Sequence, residues 1–117
     1  MAKNEVFEHA DRLQVACSDP AVPVSGDPVL YGQRPGVCEV SEGSDGLSSV
    51  KFSGAFTLPV KGVDGGGNSA VAEGDILYYV AADTPKLSKK NTGVRFGYAM
   101  GTVGSGATAN ITVILGY

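Results

Sequence analysis

Large apolar residues fall in short alternating runs along this chain, and glycine, proline or Asp-containing clusters end each run. Leu13, Val15 and Cys17 alternate with Arg12, Gln14, Ala16 and Ser18, a period of two that predicts a strand with one buried face. Pro28 to Tyr31 and Gly36 to Val40 predict the next two strands, with Gln33-Arg34-Pro35-Gly36 as a tight hairpin connection. Val50, Phe52, Phe56, Leu58 and Val60 continue the alternation across Ser53-Gly54, where a turn or bulge fits. The strongest strand signal is Ile76-Leu77-Tyr78-Tyr79-Val80. Val94 to Val103, with Phe96, Tyr98 and Met100, and Ala109 to Leu115 close the series. Lys61 to Ala72, with the triple glycine 65–67, reads as a surface loop. Thr84 to Asn91 carries Lys86, Lys89 and Lys90 around Leu87 and reads as a hairpin tip or lysine-protected edge strand. No stretch predicts a helix of three turns, so the class is all-β.

One piece of grammar occurs twice. Ser25-Gly26-Asp27 launches Pro28-Val29-Leu30-Tyr31, and Glu73-Gly74-Asp75 launches Ile76-Leu77-Tyr78-Tyr79. Glycine reaches positive φ without a Cβ clash and Asp bonds nearby amides, so Gly26-Asp27 and Gly74-Asp75 predict similar structural corners. A glycine-led run follows each, Gly36-Val37-Cys38 and Gly97-Tyr98-Ala99, which makes a weak internal echo within one β domain. Residues 1–12 form an arm with Val6 and Phe7 as its large apolar side chains, and residues 13–117 form the single domain.

Composition sharpens this. Seventeen glycines and six prolines in 117 residues are what the corners of a barrel or sandwich require. Charged residues make up 18% with a formal net charge of −3, which gives no electrostatic reason to expect nucleic acid or an anionic membrane as partner. No apolar run approaches the roughly 20 residues of a membrane-spanning helix. Met1-Ala2-Lys3-Asn4-Glu5 lacks the apolar core of a secretory signal, so synthesis in the cytoplasm is expected. There Cys17 and Cys38 are expected as thiols.

Candidate chemistry is sparse. His9 is the single histidine, so any Ser-His-Asp or Cys-His arrangement has to use it, and it stands far in sequence from both cysteines. His9, Cys17 and Cys38 lack metal-ligand spacing. The glycines 65–67 are followed by Asn68-Ser69, without the Lys and Ser/Thr of a phosphate loop. Asp27 and Asp75 could pair as acid and base but are better read as turn formers. Lys86, Lys89 and Lys90 lack interleaved aromatics and read as a solvated edge rather than a nucleic-acid patch. Tyr78, Tyr79, Phe96 and Tyr98 read as packing rather than a sugar platform. No catalytic, cofactor or metal residues are assigned.

The order of motifs resembles the capsid decoration, or cement, proteins of tailed bacteriophages across nearly the whole length. It runs from Met1-Ala2-Lys3-Asn4 and a short arm, through Ser25-Gly26-Asp27-Pro28-Val29-Leu30 and Gly36-Val37-Cys38, to Gly54-Ala55-Phe56-Thr57-Leu58-Pro59-Val60. Glu73-Gly74-Asp75-Ile76-Leu77-Tyr78-Tyr79, Gly97-Tyr98-Ala99 and Ile111-Thr112-Val113-Ile114-Leu115 complete it. The sequence departs from that pattern at Cys38 and in a lengthened glycine loop at 62–70. The resemblance implies a small β-barrel or β-tulip-like fold with an extended N-terminal arm, and no enzyme. It also implies a virion protein on the outer capsid surface, a homotrimer that staples neighbouring subunits of the major capsid protein. Val6, Phe7, His9 and Arg12 are then the expected capsid contacts, the arm adding as a strand to a capsid edge; the alternative is an arm that covers its own barrel or a sister subunit. Competing readings are a tail, baseplate or glycan-binding module presenting Tyr78, Tyr79 or Tyr98, and a small enzyme using Asp27 or Asp75.

Overall fold

A computed structural model describes residues 12–20, 23–40 and 46–115. Ten strands follow in chain order: β1 Arg12–Val15, β2 Pro28–Tyr31, β3 Arg34–Val40, β4 Ser48–Lys51, β5 Ala55–Asp64, β6 Gly67–Asn68, β7 Ile76–Tyr79, β8 Leu87–Lys89, β9 Val94–Ala99 and β10 Thr108–Leu115. The described residues hold no helix, so the all-β expectation holds.

Period-two alternation decides which side chains meet. In β10, Ile111, Val113 and Leu115 are buried while Asn110, Thr112 and Ile114 face outward. β10 pairs antiparallel with β5 from Thr108↔Lys61 to Ile114↔Ala55, and on its other edge with β9 at Val113↔Ala99, Ile114↔Tyr98 and Leu115↔Gly97. With β9–β7, β7–β8 and β8–β5 pairings, the five strands close into a barrel. Closure leaves no open edge around the ring and encloses Leu58, Val60, Leu77, Tyr79, Leu87, Phe96, Ile111 and Val113 as one core. Tyr79 and Phe96 stack inside it with ring centroids 6.2 Å apart. Gly97 is needed at the β9–β10 seam, because a Cβ there would lie 2.0 Å from the Ile114 carbonyl oxygen.

The first four strands form a second sheet in the order β1-β4-β3-β2. Its two faces have different fates. Leu30 and Val37 join the barrel core, whereas Val29, Cys38, Val50 and Phe52 make a separate cluster that Leu13, Val15 and Cys17 pack against. One continuous segment touches both ends of this sheet. Residues 12–15 pair with β4, and a few residues later Ser18 and Leu30 are joined by a 2.8 Å bond from the Ser18 amide to the Leu30 carbonyl, with Asp19↔Leu30 as a bridge. The sheet therefore curls around its own small core and lies against the barrel. Both cysteines sit there as thiols, Cys38 buried and Cys17 half-buried. Burial pushes the Cys38 thiol pKa up.

Three local expectations change. The hairpin turn is Gly32-Gln33, with Gly32 at φ +64° and Tyr31 paired to Arg34, so Arg34 and Pro35 belong to β3 rather than to the connection. The expected loop 61–72 is largely ordered ladder: β5 runs on to Asp64 and turns at 65–66 into β6. Ladder bonds along one side of β5 outweigh the weak strand propensity of Gly62. Thr84–Asn91 does not supply an edge either. β8 inserts between β7 and β5, parallel to β5, with Leu87 and Ser88 buried. Ser53-Gly54 does break β4 from β5, with Gly54 at φ +101°.

Candidate functional site

The two Gly-Asp corners are the same device built twice. In the first, the Asp27 amide bonds the Val24 carbonyl at 2.9 Å while its carboxylate accepts the Val24 amide at 3.0 Å. In the second, the Asp75 amide bonds the Ala72 carbonyl at 3.1 Å and its carboxylate accepts the Ala72 amide at 2.8 Å. Gly26 and Gly74 supply φ of +93° and +86°, open to glycine and strained for other residues. Each corner is then tied to its glycine-led run, Gly36-Val37-Cys38 within β3 or Gly97-Tyr98-Ala99 within β9. The Gly26 and Cys38 amides bond the carbonyls of Cys38 and Asp27, and the Gly74 and Ala99 amides bond those of Ala99 and Asp75. The Ala72 amide and then Lys89, 3.4 Å away, hold the Asp75 carboxyl below its usual range. Both carboxylates are thus engaged in their own turns, which supports the turn reading over an acid/base pair.

A second arrangement joins the two sheets. Asp19, on the segment that spans the small sheet, accepts a hydrogen bond from the Tyr79 hydroxyl and one at 2.9 Å from Lys86 Nζ. Burial alone would raise the Asp19 pKa, but those two donors outweigh it and hold it below the usual carboxylate range. Burial, then Asp19, pushes the Tyr79 hydroxyl pKa far up. Sequence reading missed this tie, because Asp19 lies 60 residues from Tyr79 along the chain. The available signal was Tyr79 itself, because a tyrosine placed in a core needs a partner for its hydroxyl. The expected solvated lysine edge is also corrected: Lys86, Lys89 and Lys90 form ion pairs with Asp19, Asp75 and Asp83.

The aromatic readings separate. Tyr79 is 1% exposed and cannot serve as a sugar platform. Tyr78 and Tyr98 are half-buried on the outer side of β7 and β9, and Tyr98 is bonded by Arg95. Pro20, Pro28, Pro59 and Pro85 converge with Asp27 and Lys86 on a crevice of about 210 Å³. No group of three or more His, Cys, Asp or Glu side chains that could hold a metal occurs among the described residues.

Of the expected capsid contacts, Val6, Phe7 and His9 lie outside the described residues. Arg12 opens β1, with its side chain more than half exposed and its Nε 2.6 Å from Glu39 Oε1. β1 pairs with β4 along one edge and ends the sheet order, so its other edge carries no strand among the described residues. Chemically, the described surface offers backbone edges, ion pairs and apolar spots such as Val24, Val40, Met100 and Ile114.

Neither the curated proteins nor the solved structures include a match to this chain. A family described as phage cement protein matches residues 7–115, through the last described strand. That family is structural rather than enzymatic, and a capsid component of the virion. The motif order noted in the sequence, the five-stranded barrel and the match along nearly the full length agree, and the chain belongs to the phage cement protein family.

Proposed function

We propose that this protein binds the exterior of the assembled phage head as a homotrimer and staples neighbouring subunits of the major capsid protein. The observation that carries the reading is the family match over residues 7–115. The architecture supports it physically. A staple needs a rigid body, and here a closed barrel is tied to a second sheet through Asp19, Tyr79 and Lys86. It also needs an attachment that acts by contact rather than by chemistry. β1 ends its sheet with no strand on its outer edge among the described residues, and residues 1–11, which precede it in the chain, include Val6 and Phe7 as candidate anchors. Strand addition at a capsid edge would use both, with Arg12 and His9 flanking. Three such contacts per trimer act at high effective concentration, so modest individual affinities add up to firm attachment.

Removing residues 1–10 tests the attachment. The truncated protein keeps its barrel and thermal transition but loses saturable binding to expanded, undecorated heads. Unchanged affinity of the truncated protein refutes the arm as the attachment.

A further inference from the structure

The outward row of β5 runs Ala55, Thr57, Pro59 and Lys61. Beside Lys61 the 83–85 loop folds over the strand and leaves a cleft of about 110 Å³ lined by Lys61, Val63, Asp83, Thr84, Pro85 and Lys90. The loop is pinned at both ends: the Asp83 amide bonds the Val80 carbonyl at 3.1 Å and the Val80 amide bonds the Lys86 carbonyl at 2.8 Å. The cleft is therefore a built feature of the barrel wall.

Its charge is unbalanced. Lys90 Nζ sits 2.8 Å from Asp83, while Lys86 and Lys89 are paired with Asp19 and Asp75. Lys61 is the one barrel lysine without an ion pair among the described residues. Two ammonium groups and one carboxylate leave this spot positive on a chain whose formal net charge is −3. Lys61 and Lys90 are both half-buried, so an incoming anion meets them in a less screened setting than open surface provides. The volume exceeds the roughly 30 Å³ of a water and admits a carboxylate, with the Thr84 hydroxyl as a neutral donor.

We propose that this cleft seats an Asp or Glu side chain of the major capsid protein, its carboxylate between Lys61 and Lys90. The inference rests on the head-binding reading above and adds a second contact, on the barrel wall, to the one expected from the arm. An extended arm gives reach, and a charge-matched cleft fixes the orientation of the barrel on the shell.

The test is equilibrium pelleting with expanded, undecorated heads at low and moderate salt, using the full chain and the variants Lys61→Met, Lys61→Glu and Lys61→Arg. Lys61 points outward, so all three are expected to keep the thermal transition of the unaltered protein. Lys61→Met should weaken binding about two- to fivefold per contact, the range of a single partly exposed ion pair, and should flatten the salt dependence. Lys61→Glu should weaken it further and Lys61→Arg should bind nearly as the unaltered protein does. Equal binding and equal salt dependence for Lys61→Met and Lys61→Glu overturn the cleft assignment while head binding stands. Absence of saturable binding by the unaltered protein overturns the head-binding reading, and the cleft assignment with it.

Discussion

Replacing Tyr79 by Phe removes one hydroxyl from the tie between the barrel and the small sheet. The ring stays in the core, where it is 1% exposed and stacked on Phe96, so the burial of apolar surface hardly changes. What disappears is a hydrogen bond to the Asp19 carboxylate, a class worth roughly 1.5–3 kcal/mol. Asp19 keeps Lys86 Nζ at 2.9 Å and its side chain is 32% exposed, so water compensates part of the loss. The lower end applies, about 1.5 kcal/mol. For a chain of this size each kcal/mol moves Tm by roughly 3–6 °C, which predicts a fall of about 5–9 °C followed by circular dichroism at pH 7. The pH dependence has a definite sign. Tyr79 is held protonated in the folded state, whereas an unfolded tyrosine ionises near pH 10, so its contribution is full below about pH 10 and is lost as pH rises beyond it. The Cys38 thiol adds a trend of the same direction to both proteins, so the difference between them isolates Tyr79. Asp19 is held below its usual range, so its contribution is present above about pH 4 and fades as pH falls through the folded-state value. A double-mutant cycle with Asp19→Asn should show the two sites coupled. A Tm change under about 1 °C, or additive effects in the cycle, would refute the tie as a stabilising link.

Glycine substitutions separate strain from collision. Gly97→Ala places a Cβ 2.0 Å from the Ile114 carbonyl oxygen and 3.0 Å from its carbon, both backbone atoms at the barrel seam, so urea unfolding should show a loss of about 3 kcal/mol or more. Gly26→Ala and Gly74→Ala meet nothing within 4 Å and bear only left-handed strain, so each should cost about 1–2 kcal/mol, and by nearly equal amounts because the corners are alike. Gly74→Ala as damaging as Gly97→Ala would contradict this division.

Much of the fold was legible because alternation and turn chemistry act locally. Pro28–Tyr31 was bounded by its corner and by Gly32, and the Gly-Asp echo proved to be a repeated hydrogen-bond pattern, not merely a repeated dipeptide. What escaped was non-local. Nothing within Leu87-Ser88-Lys89 says that it lies between β7 and β5, since parallel pairing to β5 is set by how the barrel closes. The ladder through Lys61–Asp64 was hidden by glycines whose low propensity is overridden by pairing. The lysines looked solvated because their partners Asp19 and Asp75 are distant in sequence. For the candidate site, Arg12 was placed and found beside Glu39, while Val6, Phe7 and His9 lie outside the described residues. The Lys61 cleft could not be read at all, because it exists only where the 83–85 loop crosses β5.

The most direct test of the cement role is the number of copies bound when expanded, undecorated heads of the parent phage are titrated with the protein and pelleted. Attachment as a homotrimer that staples neighbouring subunits predicts saturation at a fixed ratio to the major capsid protein, near one to one for trimers at three-fold positions, and heads that resist heating better once decorated. Binding that never saturates, or saturation without any gain in head stability, would contradict it.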